Sequence, residues 1–134
     1  RDINYICCGV PKMNHKIKHL VHIDDDKQIL GAVKMLLEGQ GYSVHTFSDP
    51  YEGRDYILSN AVDLVLCDIK MPGLDGFQIY QEFRSKFPDT PFVFYSGHFE
   101  FQQKVKSYSL DEKVFFLPKP SFDITDEIER FLQS

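Results

Sequence analysis

Four places in this 134-residue chain set a polar, chemically capable side chain at the end of a short apolar run. Asp24, Asp25 and Asp26 follow His19-Leu20-Val21-His22-Ile23, Asp68 follows Leu64-Val65-Leu66-Cys67, Ser96 follows Phe92-Val93-Phe94-Tyr95, and Lys119 stands just past Val114-Phe115-Phe116-Leu117. Carboxylates gathered at one point repel one another, an arrangement tolerated mainly where a cation is bound or a proton is shared. Oxygen ligands without imidazole or thiolate suit Mg2+, which binds through one or two carboxylates together with a phosphate. A lysine close by supplies a second positive charge, so the set is built for a phosphoryl group. Each member also has a plainer reading. An acidic triple caps a helix and favours its dipole, Asp68 before Met71-Pro72-Gly73 and Ser96 before Gly97 form turns, and Lys119 is a solvated cation. The plain readings weaken jointly if the four apolar runs are strands that end at one edge.

The pattern between the runs supports that placement. Apolar residues recur with helical spacing at Ile29, Leu30, Val33, Leu36 and Leu37; at Ile79, Phe83 and Phe87; at Phe101, Val105 and Tyr108; and at Ile124, Ile128, Phe131 and Leu132. A weaker helix lies between Pro50 and Ser59, where Gly53 counts against it. Runs as apolar as Leu64 to Cys67 are those of strands buried on both faces, whereas Tyr42 to Phe47 interleaves Ser43, His45 and Thr46 and reads as an edge strand. Five strand-helix pairs require right-handed crossovers, a parallel sheet and helices on both faces: a doubly wound α/β fold. Ligands of such sheets bind at the carboxyl ends of the strands, where the candidate residues stand.

Composition narrows the function classes. Hydrophobic residues make up 43% and charged residues 26%, as in a globular domain, and no apolar run approaches the ~18 residues that cross a bilayer. Fifteen Lys plus Arg against twenty Asp plus Glu give a formal net charge of −5, which argues against direct nucleic-acid binding. Three cysteines, Cys7, Cys8 and Cys67, form neither a disulfide framework nor a zinc spacing, so a reducing, cytoplasmic setting is expected. Residues 1–12 lack strand or helix periodicity, and Met13 is the expected natural start. Residues 1–17 are read as an extension or expression remnant, with Cys7 and Cys8 inert, and residues 18–134 as the domain. His15, His19 and His22 do not make a metal site, because His19 and His22 are an odd number apart on one strand and face opposite ways.

Four segments together carry a resemblance: His22-Ile23-Asp24-Asp25-Asp26, Leu64 to Gly76 with Asp68-Ile69-Lys70-Met71-Pro72-Gly73 at its centre, Tyr95-Ser96-Gly97, and Leu117-Pro118-Lys119-Pro120. In order and spacing they are similar to the signature blocks of response-regulator receiver domains, the CheY-like family. The resemblance implies a flavodoxin-like five-stranded sheet in the order 2-1-3-4-5. It implies that Asp68 is the phosphoacceptor, charged from a phosphohistidine on a histidine kinase or histidine phosphotransfer protein. It further implies that Asp25, Asp68 and the carbonyl of Lys70 ligate Mg2+, that Asp24 acts largely through water, and that Lys119 pairs with a phosphoryl oxygen. Ser96 resembles the switch hydroxyl and Phe116 the switch aromatic, where tyrosine is frequent. Lys119-Pro120 is similar to the family's cis X-Pro bond. Lys70 and His98 stand where side chains tune the lifetime of the phosphoryl group. The face built from the fourth helix, fifth strand and fifth helix becomes the output surface, and a homodimer through that face is one possible outcome. The implied chemistry is self-phosphorylation and self-dephosphorylation rather than multiple turnover.

Two other classes compete. A haloacid-dehalogenase-type phosphatase also uses an aspartate after its first strand, and Asp24 with Asp26 fits its first motif. Gln28 stands where that motif places a hydroxyl, no acidic pair follows Lys119 at the end of a strand, and the chain is too short for a cap domain. A receiver-like module that works without phosphorylation is disfavoured because every expected acid and the lysine are present.

Overall fold

The computed structural model describes residues 18–134. The expectations concerning Met13, His15, Cys7 and Cys8 lie outside the described residues. Five strands, β1 (His19–Ile23), β2 (Ser43–Phe47), β3 (Leu64–Cys67), β4 (Phe92–Ser96) and β5 (Val114–Pro118), alternate with helices α1 (Lys27–Glu38), α2 (Pro50–Ser59), α3 (Gly76–Lys86), α4 (Gln102–Lys106) and α5 (Ile124–Leu132). All strand pairs are parallel and the order is β2-β1-β3-β4-β5, with the more polar β2 at one edge. This is the doubly wound, flavodoxin-like arrangement expected from the alternating pattern.

Strand periodicity sorts the core into two layers. Val21, Ile23, Val65, Cys67, Phe92 and Phe94 face one side, where Ile57 of α2, Ile79 and Phe83 of α3 and Val105 of α4 cover them. Leu20, Leu64, Leu66, Val93, Tyr95 and Leu117 face the other, under Val33 and Leu37 of α1 and Ile124, Ile128 and Phe131 of α5. His19 and His22 follow the same rule. His19 meets His45 and Tyr56 at the β2 edge, while His22 lies near Tyr95 in the opposite layer.

Two elements depart from the periodicity. The helix containing Gly53 forms fully, because Asp49 caps it, Pro50 starts it, and Gly53 is the point of closest approach to β1: a Cβ there would fall 2.7 Å from Ile23 Cγ1. The fourth helix is shorter than the spacing Phe101, Val105, Tyr108 implies. Phe99–Phe101 forms a 3-10 turn without a side-chain cap, α4 proper spans Gln102–Lys106, and Tyr108 lies in the following loop. That loop is held from outside the helix. Asp111 receives hydrogen bonds from Tyr80 and from Arg84 Nε, the latter at 2.8 Å.

Candidate functional site

The register carries the candidate residues to one edge. Ile23 pairs with Cys67, so Asp24 and Asp68 leave adjacent strands side by side, and Ser96 pairs with Pro118, which sets Lys119 next to Ser96. The Lys119 N–H donates to the Ser96 carbonyl at 2.9 Å, and the Lys119-Pro120 peptide is cis. Gly73, at φ 88°, turns the loop after β3 in a conformation that favours glycine.

The acidic triple divides its labour. Asp26 is the plain helix cap: its carboxylate accepts from the N–H groups of Gln28 and Ile29. Asp24 is wholly buried, and its Oδ1 accepts from the Asp26 N–H at 2.9 Å. Its Oδ2 lies 2.7 Å from Lys119 Nζ, which is also 3.4 Å from Asp68 Oδ2. Asp68 is buried save for a 7% opening to solvent, and its Oδ1 accepts from the Ile69 N–H at 2.8 Å. Asp25 is exposed at the rim. Asp24, Asp25 and Asp68 each offer a carboxylate oxygen within 4.8 Å of the others.

Electrostatics follow from this crowding. Burial, and after it the charge of Asp24, push the Asp68 carboxyl up to about 6, with Lys119 and the Ile69 N–H pulling the other way. Burial draws the Lys119 ammonium down, but its hydrogen bond and ion pair with Asp24 and its proximity to Asp68 prevail and hold it above the usual lysine range. Three carboxylates face one ammonium, leaving two negative charges uncompensated. An all-oxygen set with that surplus and one exposed member fits a hard divalent cation such as Mg2+.

The remaining site residues are placed as follows. Ser96 is fully buried at the end of β4, and its Oγ accepts from the His98 N–H at 3.0 Å. Lys70 places its Nζ 5.7 Å from the centre of the Phe101 ring. Phe116 is half-buried on β5, packed against the layer that includes Phe94 and Val105, and borders a shallow cleft with Gln102, Val105 and Tyr108. Two features escaped the sequence reading. Gly76 admits the backbone of Asp68, whose carbonyl oxygen lies 2.3 Å from where a Cβ would stand. His22 is fully buried, with Nε2 3.9 Å from Asp24 Oδ2; a histidine two residues before the first acid was its one sequence signal.

Strand order and an acid-lined pocket facing a lysine at the carboxyl edge define a CheY-like domain of the flavodoxin-like fold. The family model for the response regulator receiver domain matches residues 20–129, and the chain belongs to that family. It is 34% identical over 109 residues to the transcriptional regulatory protein GlrR of Escherichia coli K12, an alignment covering 81% of this chain and 24% of that protein. The chain thus spans about a quarter of the length of that curated relative. Among solved structures it resembles a response regulator receiver domain protein from Clostridium thermocellum, with a TM-score of 0.75 at 30% identity over 87% of this chain and 95% of the other. It also resembles TrrA from Thermotoga maritima, solved in complex with Mg(2+)-BeF, with a TM-score of 0.75 at 25% identity over 87% and 99% of the two chains. Receiver domains of two-component signalling accept phosphoryl groups from histidine kinases and bind Mg2+ at an acidic pocket. Neither the phosphatase nor the phosphorylation-independent alternative is favoured by these matches. Among the described residues, no helix is long and apolar enough to cross a membrane.

Proposed function

We propose that this domain takes a phosphoryl group onto Asp68 from a phosphohistidine of a histidine kinase or histidine phosphotransfer protein. The observation that carries this reading is the position of Asp68 Oδ2, 3.4 Å from Lys119 Nζ within a carboxylate cluster that retains a small opening to solvent. An oxygen of Asp68 forms a bond to phosphorus while the bond from phosphorus to the imidazole nitrogen breaks, and the imidazole leaves with its electron pair. Asp25 and Asp68, with the carbonyl of Lys70, would hold Mg2+, and Asp24 would contribute through solvent. Bound there, the dication would supply positive charge against the phosphoryl oxygens. Lys119 supplies the other positive charge and orients the acceptor carboxylate.

The product places up to about two new negative charges in the pocket. Ser96 already spends its Oγ as an acceptor for the His98 N–H, so its hydroxyl proton is available to a phosphoryl oxygen. Movement of Ser96 toward that oxygen frees space on the β4–β5 side, which Phe116 fills from its half-buried position. The surface formed by α4, β5 and α5 is the output face, with a second copy of the chain among its possible partners.

Incubation with Mg2+ and acetyl phosphate, followed by intact-mass measurement, is expected to show a single added phosphoryl group that Asp68→Asn abolishes. Labelling undiminished in that variant overturns the assignment.

A further inference from the structure

His22 lies on β1, its ring buried in the layer under α1 and α5 with its centroid 6.1 Å from that of Tyr95. Neither ring nitrogen meets a hydrogen-bond partner among the described residues. Buried polar groups are seldom left this way, and an aromatic hydrocarbon would fill the same space without a desolvation cost. One acceptor stands just out of reach: Asp24 Oδ2, 3.9 Å from His22 Nε2. The ring is buried with both nitrogens unpartnered, and a neutral imidazole has one N–H to give. A neighbouring carboxylate favours the tautomer with that proton on Nε2.

The same Asp24 oxygen is held at 2.7 Å by Lys119, whose ammonium also serves Asp68 at 3.4 Å. A phosphoryl group on Asp68 would compete for that ammonium. As Lys119 turns toward the new charge, a wholly buried carboxylate oxygen loses its cationic partner, which is strongly unfavourable unless a donor replaces it. We propose that His22 is a positioning residue for the phosphorylated state, its Nε2–H closing onto Asp24 Oδ2 as Lys119 is drawn to the phosphoryl group. The closure needed is about 1 Å, to an ordinary hydrogen-bond length. The proposal rests on the phosphoacceptor reading of Asp68. In it, Asp24 keeps its orientation through the switch because one donor takes over from another.

The full chain, labelled with 15N and given Mg2+ and beryllofluoride as a phosphoryl mimic, tests this. The 19F spectrum reports whether the adduct forms, independently of His22. The imidazole 1H–15N correlations report the tautomer and the hydrogen bond. The expected result is an Nε2–H tautomer for His22 in both states, with that proton moving downfield and exchanging more slowly once the adduct appears. His22→Phe is expected to weaken beryllofluoride binding several-fold, and His22→Gln, which keeps an N–H donor, to recover part of the loss. An adduct that forms while the His22 ring signals stay unmoved overturns the handover. Equal affinity in His22→Phe also overturns it. Absence of any adduct in the unaltered chain would instead remove the phosphoacceptor reading itself, and the handover with it.

Discussion

The backbone carbonyl oxygen of Asp68 occupies the space where Gly76 would carry a side chain, 2.3 Å from the ideal Cβ position, and the Gly76 N–H donates to the Ile69 carbonyl at 2.8 Å. The start of α3 is therefore docked against the segment that holds the Asp68 carboxylate. The opposing atom is backbone, which cannot rotate aside. Gly76→Ala is expected to destabilise the domain by about 1–3 kcal/mol, as overpacking does, and to slow phosphorylation by acetyl phosphate by displacing Asp68. Gly31→Ala is the control. Its added methyl meets nothing within 4 Å in the middle of α1, so a gain of up to about 1 kcal/mol is expected. Urea unfolding of both variants checks the pair.

Asp68 should cost the folded protein stability at neutral pH. Its carboxyl holds a proton up to about 6 in the fold, against 3.8 in the open chain, so between those values folding takes up a proton. Stability then falls as pH rises through that window and levels off above it. A shift of about two units corresponds to roughly 2–3 kcal/mol as an upper bound. Asp68→Asn is therefore expected to be more stable than the unaltered protein by up to about 2 kcal/mol at pH 7.5 without added metal. The gain should shrink steadily as pH is lowered from 6 to 4. Equal midpoints of the two proteins in urea across that range would contradict the raised carboxyl.

The sequence discloses the fold because buried parallel strands need unbroken apolar runs, and Leu64 to Cys67 and Phe92 to Tyr95 supply them. It discloses Asp24, Asp25, Asp68 and Lys119 because each follows such a run. It does not separate Asp26, the helix cap, from its two neighbours, since all three share one residue type and only the turn into α1 assigns them. Close approaches are equally invisible from within one strand. Gly53 looks like a helix breaker until Ile23 is seen against it, and His22 looks like a core residue until Asp24 Oδ2 is found 3.9 Å away. The shortened α4 was hidden because the residues that hold its exit loop, Tyr80 and Arg84, lie on α3, some thirty positions from Asp111.

Arg84 is the centre of that anchorage. Its Nε donates to Asp111 at 2.8 Å, one terminal nitrogen donates at 2.7 Å to the carbonyls of both Phe87 and Thr90, and the other donates at 3.1 Å to Lys113. Only a planar fork serves all four at once. Arg84→Lys is expected to lose about 2 kcal/mol despite keeping the charge, and Arg84→Ala about 3 kcal/mol, because partly buried carbonyls and the Asp111 carboxylate lose donors. Amide hydrogen exchange should localise the loosening to residues 107–113 and the end of α3. Arg84→Lys with unaltered stability would mean that the fork geometry is dispensable.

The acidic triple can be divided by experiment. Asp25 is exposed and Asp26 caps α1, so replacing either leaves the core intact, yet only Asp25 belongs to the cluster within 4.8 Å of Asp24 and Asp68. A ligand that binds the folded state stabilises it by about 2.7 kcal/mol at a hundredfold excess over its Kd. Added Mg2+ should therefore raise the thermal midpoint of the unaltered protein, and a chelator should reverse the rise. Asp26→Ala is expected to lower the midpoint at every Mg2+ concentration by an amount matching a lost cap, about 1 kcal/mol, while keeping the full Mg2+-dependent rise. Asp25→Ala should do the opposite, with little change in the metal-free midpoint and most of the Mg2+-dependent rise gone. Relief of repulsion among the three carboxylates is expected to lift its metal-free value slightly. A Mg2+ response that survives in Asp25→Ala and vanishes in Asp26→Ala would reassign the metal ligand within the triple.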